Sequence, residues 1–129
     1  MKYTKKEAKE YAFKFMKGIW AATLTPFLED HSFDERGFRS NLRHWIDDLG
    51  IDGFFVSGKQ GEFFSMSIEE RKKSFLIAVE ETYGKAQTIL SCSDQNFDTV
   101  IELAKYSEDI GADYIVVHAP VLNFVNDRN

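Results

Sequence analysis

Residues 49–56 read Leu-Gly-Ile-Asp-Gly-Phe-Phe-Val, and residues 110–117 repeat the same plan as Ile-Gly-Ala-Asp-Tyr-Ile-Val-Val. Each stretch has the end of a helix, a glycine that can adopt a positive φ, one further residue, an aspartate and then an apolar strand. Gly84 marks a third turn between them. The spacing gives units of about 30 residues, the size of a βαβ step. The repeat therefore predicts strands that alternate with helices.

The first residues predict a separate N-terminal element. Residues 4–16 are expected to form an amphipathic helix that starts with a capping box between Thr4 and Glu7 and ends at Gly18. We treat residues 1–17 as this helical segment and residues 18–129 as the main domain. The aromatic face of the helix is predicted to cover either the bottom of a barrel or a neighbouring subunit.

Three further helices are predicted from apolar residues that recur at helical spacing. The first spans residues 38–49, the second starts at a capping box of residues 67–70, and the third is capped by Asn96. Short apolar runs between the helices predict four strands, at residues 18–24, 53–56, 88–90 and 114–117.

Apolar strands that alternate with helices indicate an α/β fold with a parallel sheet. Two architectures fit. The first is a partial (β/α)₈ TIM barrel, with about strands 1–4 and helices 1–3 preceded by the N-terminal helix; a whole barrel typically has about 250 residues. The second is an open, doubly wound sheet of the flavodoxin type, which can be complete near this length. That sheet usually needs five strands and only four are predicted, so the pattern favours the half barrel but leaves both open.

The composition of the chain argues against several classes of function. The chain has 129 residues, of which 43% are hydrophobic and 29% charged, as in an ordered globular domain. A net charge of −5 offers no basic field for nucleic acid or for an anionic membrane surface. No apolar run reaches the roughly 18 residues of a membrane span, and the N-terminus does not resemble a signal peptide. Cys92 is the single cysteine, so we expect a reduced, cytoplasmic environment.

Active sites in either architecture lie in loops that follow the C-terminal ends of strands. The most informative is residues 58–62, Gly-Lys-Gln-Gly-Glu, which we call the GKQGE loop. Two glycines three apart let backbone N–H groups turn outward to bind carboxylate or phosphate oxygens, and Lys59 adds a cation. The competing interpretation is a tight, solvated surface loop; a P-loop is excluded by its ending. Glu62 is expected to support the loop by accepting backbone N–H groups; the alternative role is a general acid or base.

The remaining candidates are histidines and the cysteine. His118 ends the fourth predicted strand and is expected to face the site, whereas His31 and His44 are predicted to lie on the surface. Their spacing does not match a metal site. Cys92 ends the third predicted strand and is interpreted as an inert, small apolar residue.

Four landmarks together resemble one known family. Residues 56–62, Val-Ser-Gly-Lys-Gln-Gly-Glu, resemble the Gly-Thr-Thr-Gly-Glu signature of the dihydrodipicolinate synthase and N-acetylneuraminate lyase family, and a similar helix start follows. Residues 24–27, Leu-Thr-Pro-Phe, are similar to its Val-Thr-Pro-Phe after strand one. Residues 111–113 and 120–123 are similar to its strand-four unit. The resemblance covers most of the chain after the N-terminal helix and implies the barrel.

The resemblance implies a class I, metal-free aldolase or lyase without a cofactor, which is a homo-oligomer in many relatives. A lysine on strand six forms a Schiff base with pyruvate or a related 2-oxo acid, and a C–C bond forms or breaks beside the imine. Carried over to this chain, the substrate-binding residues would be Thr25, Gly58, Lys59, Gln60 and Gly61. Lys59 and Gln60 occupy the two threonine positions, and the N–H group of Gln60 would be a carboxylate donor.

Two departures from the family pattern set expectations for activity. Lys59 replaces a threonine of the synthase's proton relay, and Leu122 stands at one of its tyrosine positions. The second tyrosine and the Schiff-base lysine would lie beyond Asn129. We therefore expect this chain to contain no catalytic residue and to be inactive in isolation, and another aldolase fits better than the synthase. The alternatives are a small α/β anion-binding module and a non-catalytic half-barrel dimer.

Overall fold

The computed structural model describes residues 3–119 as parallel strands that alternate with helices. Every helix and strand predicted from the sequence occurs. Their bounds are α1 (Ala8–Phe15), β1 (Trp20–Ala22), α2 (Glu35–Asp47), β2 (Gly53–Val56), a 3₁₀ turn (Phe63–Ser65), α3 (Ile68–Thr82), β3 (Gln87–Ser91), α4 (Phe97–Asp109) and β4 (Tyr114–Val116).

The order of the strands distinguishes the two architectures. The sheet runs β1-β2-β3-β4, and each neighbouring pair is parallel. Successive right-handed crossovers produce this order in a (β/α)₈ barrel, whereas a doubly wound sheet reverses its order at a switch point. The open-sheet alternative is therefore wrong for residues 3–119. Within these residues β1 and β4 are the edge strands.

The core lies between one face of the sheet and the helices. Alternate strand residues point to the helices, as the period of two in a strand requires. The core side chains with no measurable exposure include Leu42 from α2, Phe54 and Val56 from β2, Phe75 from α3, Leu90 from β3 and Leu103 from α4. Burying each such side chain contributes roughly 1.5–3 kcal/mol. The opposite face of the sheet corresponds to the interior of a barrel.

The repeated Gly-x-Asp stretches close the bottom of the sheet, by which we mean the N-terminal ends of its strands. The Ile19 N–H group donates to Oδ2 of Asp52 at 2.8 Å, and the Thr88 N–H group donates to Oδ2 of Asp113 at 3.0 Å. Each aspartate thus binds an N–H group at the start of the preceding strand. Gly111 has a φ of 84°, a backbone conformation that L-residues with a side chain rarely adopt. The repeat has a structural origin.

The N-terminal segment packs against the bottom of the sheet. The rings of Tyr3 and Tyr11 each lie 6.1 Å from that of Tyr114, and the Tyr3 hydroxyl donates to the Asp113 carbonyl at 2.8 Å. The predicted start at Thr4 is wrong, because α1 begins at Ala8. Thr4 donates to the Glu7 carboxylate, but the Glu7 N–H group donates to the Thr4 carbonyl, so a tight turn replaces the capping box.

The other helix boundaries follow their predicted caps, with one correction. The capping box between Ser67 and Glu70 is complete, and the Asn96 side chain accepts the Asp98 N–H group at 2.9 Å. Leu49, predicted on the apolar face of α2, lies beyond the end of that helix and is 56% exposed. Among residues 3–119, no helix combines the length and the apolar character needed to span a bilayer.

Candidate functional site

The loops after β2, β3 and β4 meet around a cavity of about 470 Å³ at the top of the sheet, the C-terminal ends of its strands. Sites for small molecules typically measure about 300–1,000 Å³. We call it the top cavity. The residues that line it are Phe55, Lys59, Gln60, Phe63, Ser93, Asp94, Gln95, His118 and Ala119. It therefore brings together two members of the predicted substrate-binding set and the predicted histidine.

The GKQGE loop presents two free backbone donors to this region. Its own turn uses the N–H groups of Gly61 and Glu62, which donate to the carbonyls of Gly58 and Lys59 at 3.1 Å each. The N–H groups of Lys59 and Gln60 donate no hydrogen bond to any of residues 3–119. Lys59 is exposed and forms no ion pair within the same range. Adjacent N–H groups beside a cation form an anion-binding arrangement.

The two loop glycines are needed for space rather than for conformation. A Cβ on Gly58 would overlap the ring of Phe55, and a Cβ on Gly61 would lie 3.1 Å from the Thr23 carbonyl oxygen. The Thr25 hydroxyl donates to the Gly61 carbonyl at 2.7 Å. Thr25, predicted to bind substrate, is not among the residues that line the top cavity. Its hydrogen bond holds the loop in place.

Two non-glycine residues have left-handed backbone, one just before the loop and one at its last position, and the sequence analysis did not predict this. Ser57 has a φ of 51° and Glu62 a φ of 53°. This conformation costs of order 1 kcal/mol for an L-residue and is often found at functional sites. The buried Ser57 hydroxyl pairs with that of Ser74 at 2.9 Å, which anchors the start of the loop to α3.

Glu62 does not have its predicted contacts. Its side chain is exposed, and its carboxylate accepts no hydrogen bond from residues 3–119. The Glu62 backbone instead links the loop to the following turn, since its carbonyl accepts the Ser65 N–H group at 2.8 Å. Support for the loop comes from backbone contacts and from the Thr25 hydroxyl.

A buried arginine joins α3 to the loop after β3 and was also missed. Arg71 is only 1% exposed, and its guanidinium donates to Asp94 at 3.0 Å and to the carbonyls of Ser91 and Ser93 at 2.9 and 2.8 Å. Burial lowers the pKa of Arg71, while Asp94 acts in the opposite direction. Nothing in the sequence around this arginine, four residues after a helix cap, indicated that its side chain would be buried. The ion pair balances the charge of Asp94 beside the top cavity.

The histidines and the cysteine lie where they were predicted. His118 lines the top cavity, and its Nδ1 lies 3.0 Å from Oγ of Ser93. His31 and His44 are exposed, and Nδ1 of His44 lies 2.6 Å from Oδ2 of Asp48. Cys92 is fully buried, and burial raises the pKa of its thiol, as expected of an unreactive cysteine.

Across residues 3–119, no three His, Cys, Asp or Glu side chains converge as a metal site would require. Leu122 and the rest of residues 120–123, which carry part of the family resemblance, lie outside the described residues.

Comparison with known proteins agrees with these features. The sequence profile of the Dihydrodipicolinate synthetase family matches residues 15–129. The N-acetylneuraminate lyase of Clostridium perfringens is 40% identical over 105 residues, which are 81% of this chain and 36% of that protein.

Solved structures give the same result. The N-acetylneuraminate lyase from Mycoplasma synoviae aligns with a TM-score of 0.83 and 26% identity over 90% of this chain and 40% of that chain. The lyase from Fusobacterium nucleatum complexed with pyruvate has a TM-score of 0.78 and 36% identity over 84% of this chain and 37% of its own. The chain thus spans well under half the length of these relatives, and the predicted partial barrel is confirmed.

Proposed function

Because this chain belongs to the dihydrodipicolinate synthetase family, we propose that the protein acts on pyruvate or a related 2-oxo acid as a Schiff-base aldolase or lyase. The observation that carries the proposal is that the N–H groups of Lys59 and Gln60 have no acceptor among residues 3–119, in a loop that also carries the exposed Lys59 side chain. A relative 36% identical to this chain was solved with pyruvate bound, which supports the choice of ligand.

The proposed roles follow from the geometry. The N–H groups of Lys59 and Gln60 bind the two oxygens of the carboxylate, and Gly58 and Gly61 allow the loop to pack closely below them. Thr25 holds the loop through the Gly61 carbonyl and does not touch the substrate. The imine lysine is proposed to come from strand six, outside the four strands described here, so residues 1–129 alone bind substrate without turning it over.

The charge balance around the cavity favours an anion. Asp94 is paired with the buried guanidinium of Arg71, whereas Lys59 has no ionic partner among residues 3–119. Lys59 is therefore a cation of the cavity lining that no carboxylate of residues 3–119 pairs with, and it belongs to the loop that carries the two donors. A carboxylate that enters gains both hydrogen bonds and the Lys59 charge.

We also propose that the protein is a cytoplasmic homo-oligomer that needs no metal or cofactor. These properties come with the family resemblance and with the composition. The edge strands β1 and β4 are proposed to pair either with the remaining strands of a barrel or with a second copy of this chain. Measuring the mass of the protein in solution tests this pairing.

Binding is tested by adding pyruvate to ¹⁵N-labelled chain and following the backbone amides by NMR. We expect the amides of Lys59 and Gln60 to shift most. Lys59→Gln should weaken binding about fivefold, since an exposed charge pair contributes about 1 kcal/mol. Lys85→Gln is the matched control, because Lys85 is an exposed lysine that pairs with Asp47 away from the top cavity.

Two results would count against the proposal. If pyruvate left the NMR signals of the Lys59 and Gln60 amides unchanged, the proposal would lose its basis. Inorganic phosphate that binds the same amides as tightly as pyruvate would instead favour the small anion-binding module.

A further inference from the structure

The hydroxyl of Ser93 contacts both the backbone and the ring of a histidine in the top cavity. Ser93 is buried, and its Oγ accepts the backbone N–H group of His118 at 2.9 Å and the hydroxyl of Ser91 at 3.3 Å. A hydroxyl has two acceptor lone pairs and one proton to donate. When Ser93 accepts both of these groups, its own proton is left for Nδ1 of His118, which lies 3.0 Å away.

This arrangement of hydroxyl protons favours one tautomer of His118. A ring nitrogen that accepts a hydrogen bond carries no proton, so the proton of the neutral imidazole lies on Nε2. Nε2 has no partner among residues 3–119, and the exposed ring lines the top cavity. His118 therefore presents a fixed N–H donor to whatever occupies the cavity.

The position of His118 relative to the GKQGE loop sets the length of the ligand. The loop follows β2 and His118 follows β4, with β3 between them. Neighbouring strands lie about 4.8 Å apart, so the backbones of the two sites are roughly 10 Å apart across the sheet. The distance between their side chains is shorter. A ligand held by its carboxylate at Lys59 and Gln60 reaches His118 only with the part of the molecule beyond its keto group.

We propose that Nε2–H of His118 donates a hydrogen bond to the C4 oxygen of a 4-hydroxy-2-oxo acid, a role that rests on the proposed aldolase function. An aldol bond between C3 and C4 places a hydroxyl on C4, and negative charge develops on that oxygen when the bond forms or breaks. A preorganised donor stabilises such charge, and a neutral imidazole is able to do so. Ser93 is then a positioning residue that holds the donor tautomer.

The tautomer is tested first, with long-range ¹H–¹⁵N spectra of the histidine rings in the full chain. His118 should show the Nε2–H form, and Ser93→Ala should mix its tautomers. His44 and His31 are internal controls: the former should carry its proton on Nδ1, which contacts Asp48, and neither should respond to Ser93→Ala. A His118 ring protonated on Nδ1 would overturn the assignment.

Ligand contact is tested with 4-hydroxy-2-oxopentanoate and with pyruvate, which lacks the C4 hydroxyl. His118→Phe should weaken binding of the longer acid about three- to tenfold, the value of one hydrogen bond, and leave pyruvate binding unchanged. His118→Gln, whose amide can replace the Nε2–H donor, should restore most of the loss.

The other outcomes separate the two proposals. If both acids shift the loop amides but His118→Phe binds each as the parent chain does, the role of His118 is wrong and the proposed function stands. Equal weakening of both acids also overturns that role, because it indicates a structural effect. If neither acid shifts the Lys59 and Gln60 amides, the proposed function fails and the role of His118 fails with it.

Discussion

The two ends of the sheet are built in different ways. At the bottom, the same Gly-x-Asp turn is used twice, and Asp52 and Asp113 each bind an N–H group at the start of the preceding strand. At the top, the loops after β2 and β3 share no pattern. One presents free N–H groups beside Lys59, and the other is held by the guanidinium of Arg71.

This contrast separates stability from function. A repeated turn solves the same geometric problem each time the chain returns to the sheet, so it stabilises the fold without chemical specificity. The top loops differ because each contributes a different group to one cavity. The division agrees with the general rule that barrel active sites lie at the C-terminal ends of the strands. Mutations at the two ends should therefore have separable effects on stability and on binding.

The largest expected effect belongs to the arginine that supports the top. Arg71→Met leaves Asp94 without its ion pair and two buried carbonyls without donors. Breaking a fully buried ion pair costs about 3–5 kcal/mol. Asp94 is 27% exposed and keeps the Asn96 N–H group, so we expect a smaller loss, about 2–3 kcal/mol, in the free energy of unfolding. Urea denaturation measures it.

The matched control is another arginine that pairs with a carboxylate. Arg43 is 61% exposed and pairs with Glu81 on the outside of the helices. Arg43→Met should cost much less than Arg71→Met, because exposed ion pairs are weak. Equal losses for the two variants would show that the top loop does not depend on the buried guanidinium.

A smaller loss is expected at the bottom, without any effect on the cavity. Asp113→Ala removes a nearly buried carboxylate that accepts the Thr88 N–H group, at a cost of about 2 kcal/mol. Asp52→Ala should cost less, because Asp52 is exposed to water that can replace it. Denaturant midpoints measure both, and pyruvate binding should be unchanged. Loss of binding without loss of stability would contradict the separation of the two ends.

The smallest effect is a gain in stability at the top. Glu62→Gly relieves a left-handed backbone at an exposed residue whose carboxylate has no hydrogen bond within residues 3–119. We expect a gain of about 0.5–1 kcal/mol, after allowance for the greater flexibility of glycine. Glu62→Ala retains the strained conformation and should change little. If both variants stabilise the protein equally in thermal melts, the backbone is not the cause.

Much of the fold could be predicted because its signals are local. The strand at residues 53–56 was predicted with its observed bounds, and the caps at Ser67 and Asn96 with their observed contacts. Where the predictions failed, the competing effect was also local. Thr4 forms a turn in place of a capping box, and Leu49 follows the last turn of α2 and points to solvent.

The candidate site was only partly predictable, because its contacts join distant parts of the chain. The sequence marked the GKQGE loop and His118 as separate candidates. It contained no sign that Ser93 would orient the His118 ring, or that Arg71 would reach the loop after β3 across 20 or more residues. It also placed Thr25 in the substrate-binding set, whereas its hydroxyl supports the loop.

The order of the elements, the parallel character of the strands and the family follow from the amino-acid sequence, because periodicity, caps and turns depend on neighbouring residues. The pattern of elements by itself left the barrel and the open sheet both possible, and only the family resemblance implied the barrel. The tertiary structure shows it directly, since strand order is a relation between units far apart in the chain. It was needed to identify which polar groups are satisfied and which are free. Within residues 3–119 the N–H groups of Lys59 and Gln60 and the carboxylate of Glu62 have no hydrogen-bond partner, in a loop that packs on Phe55, Thr23 and Thr25.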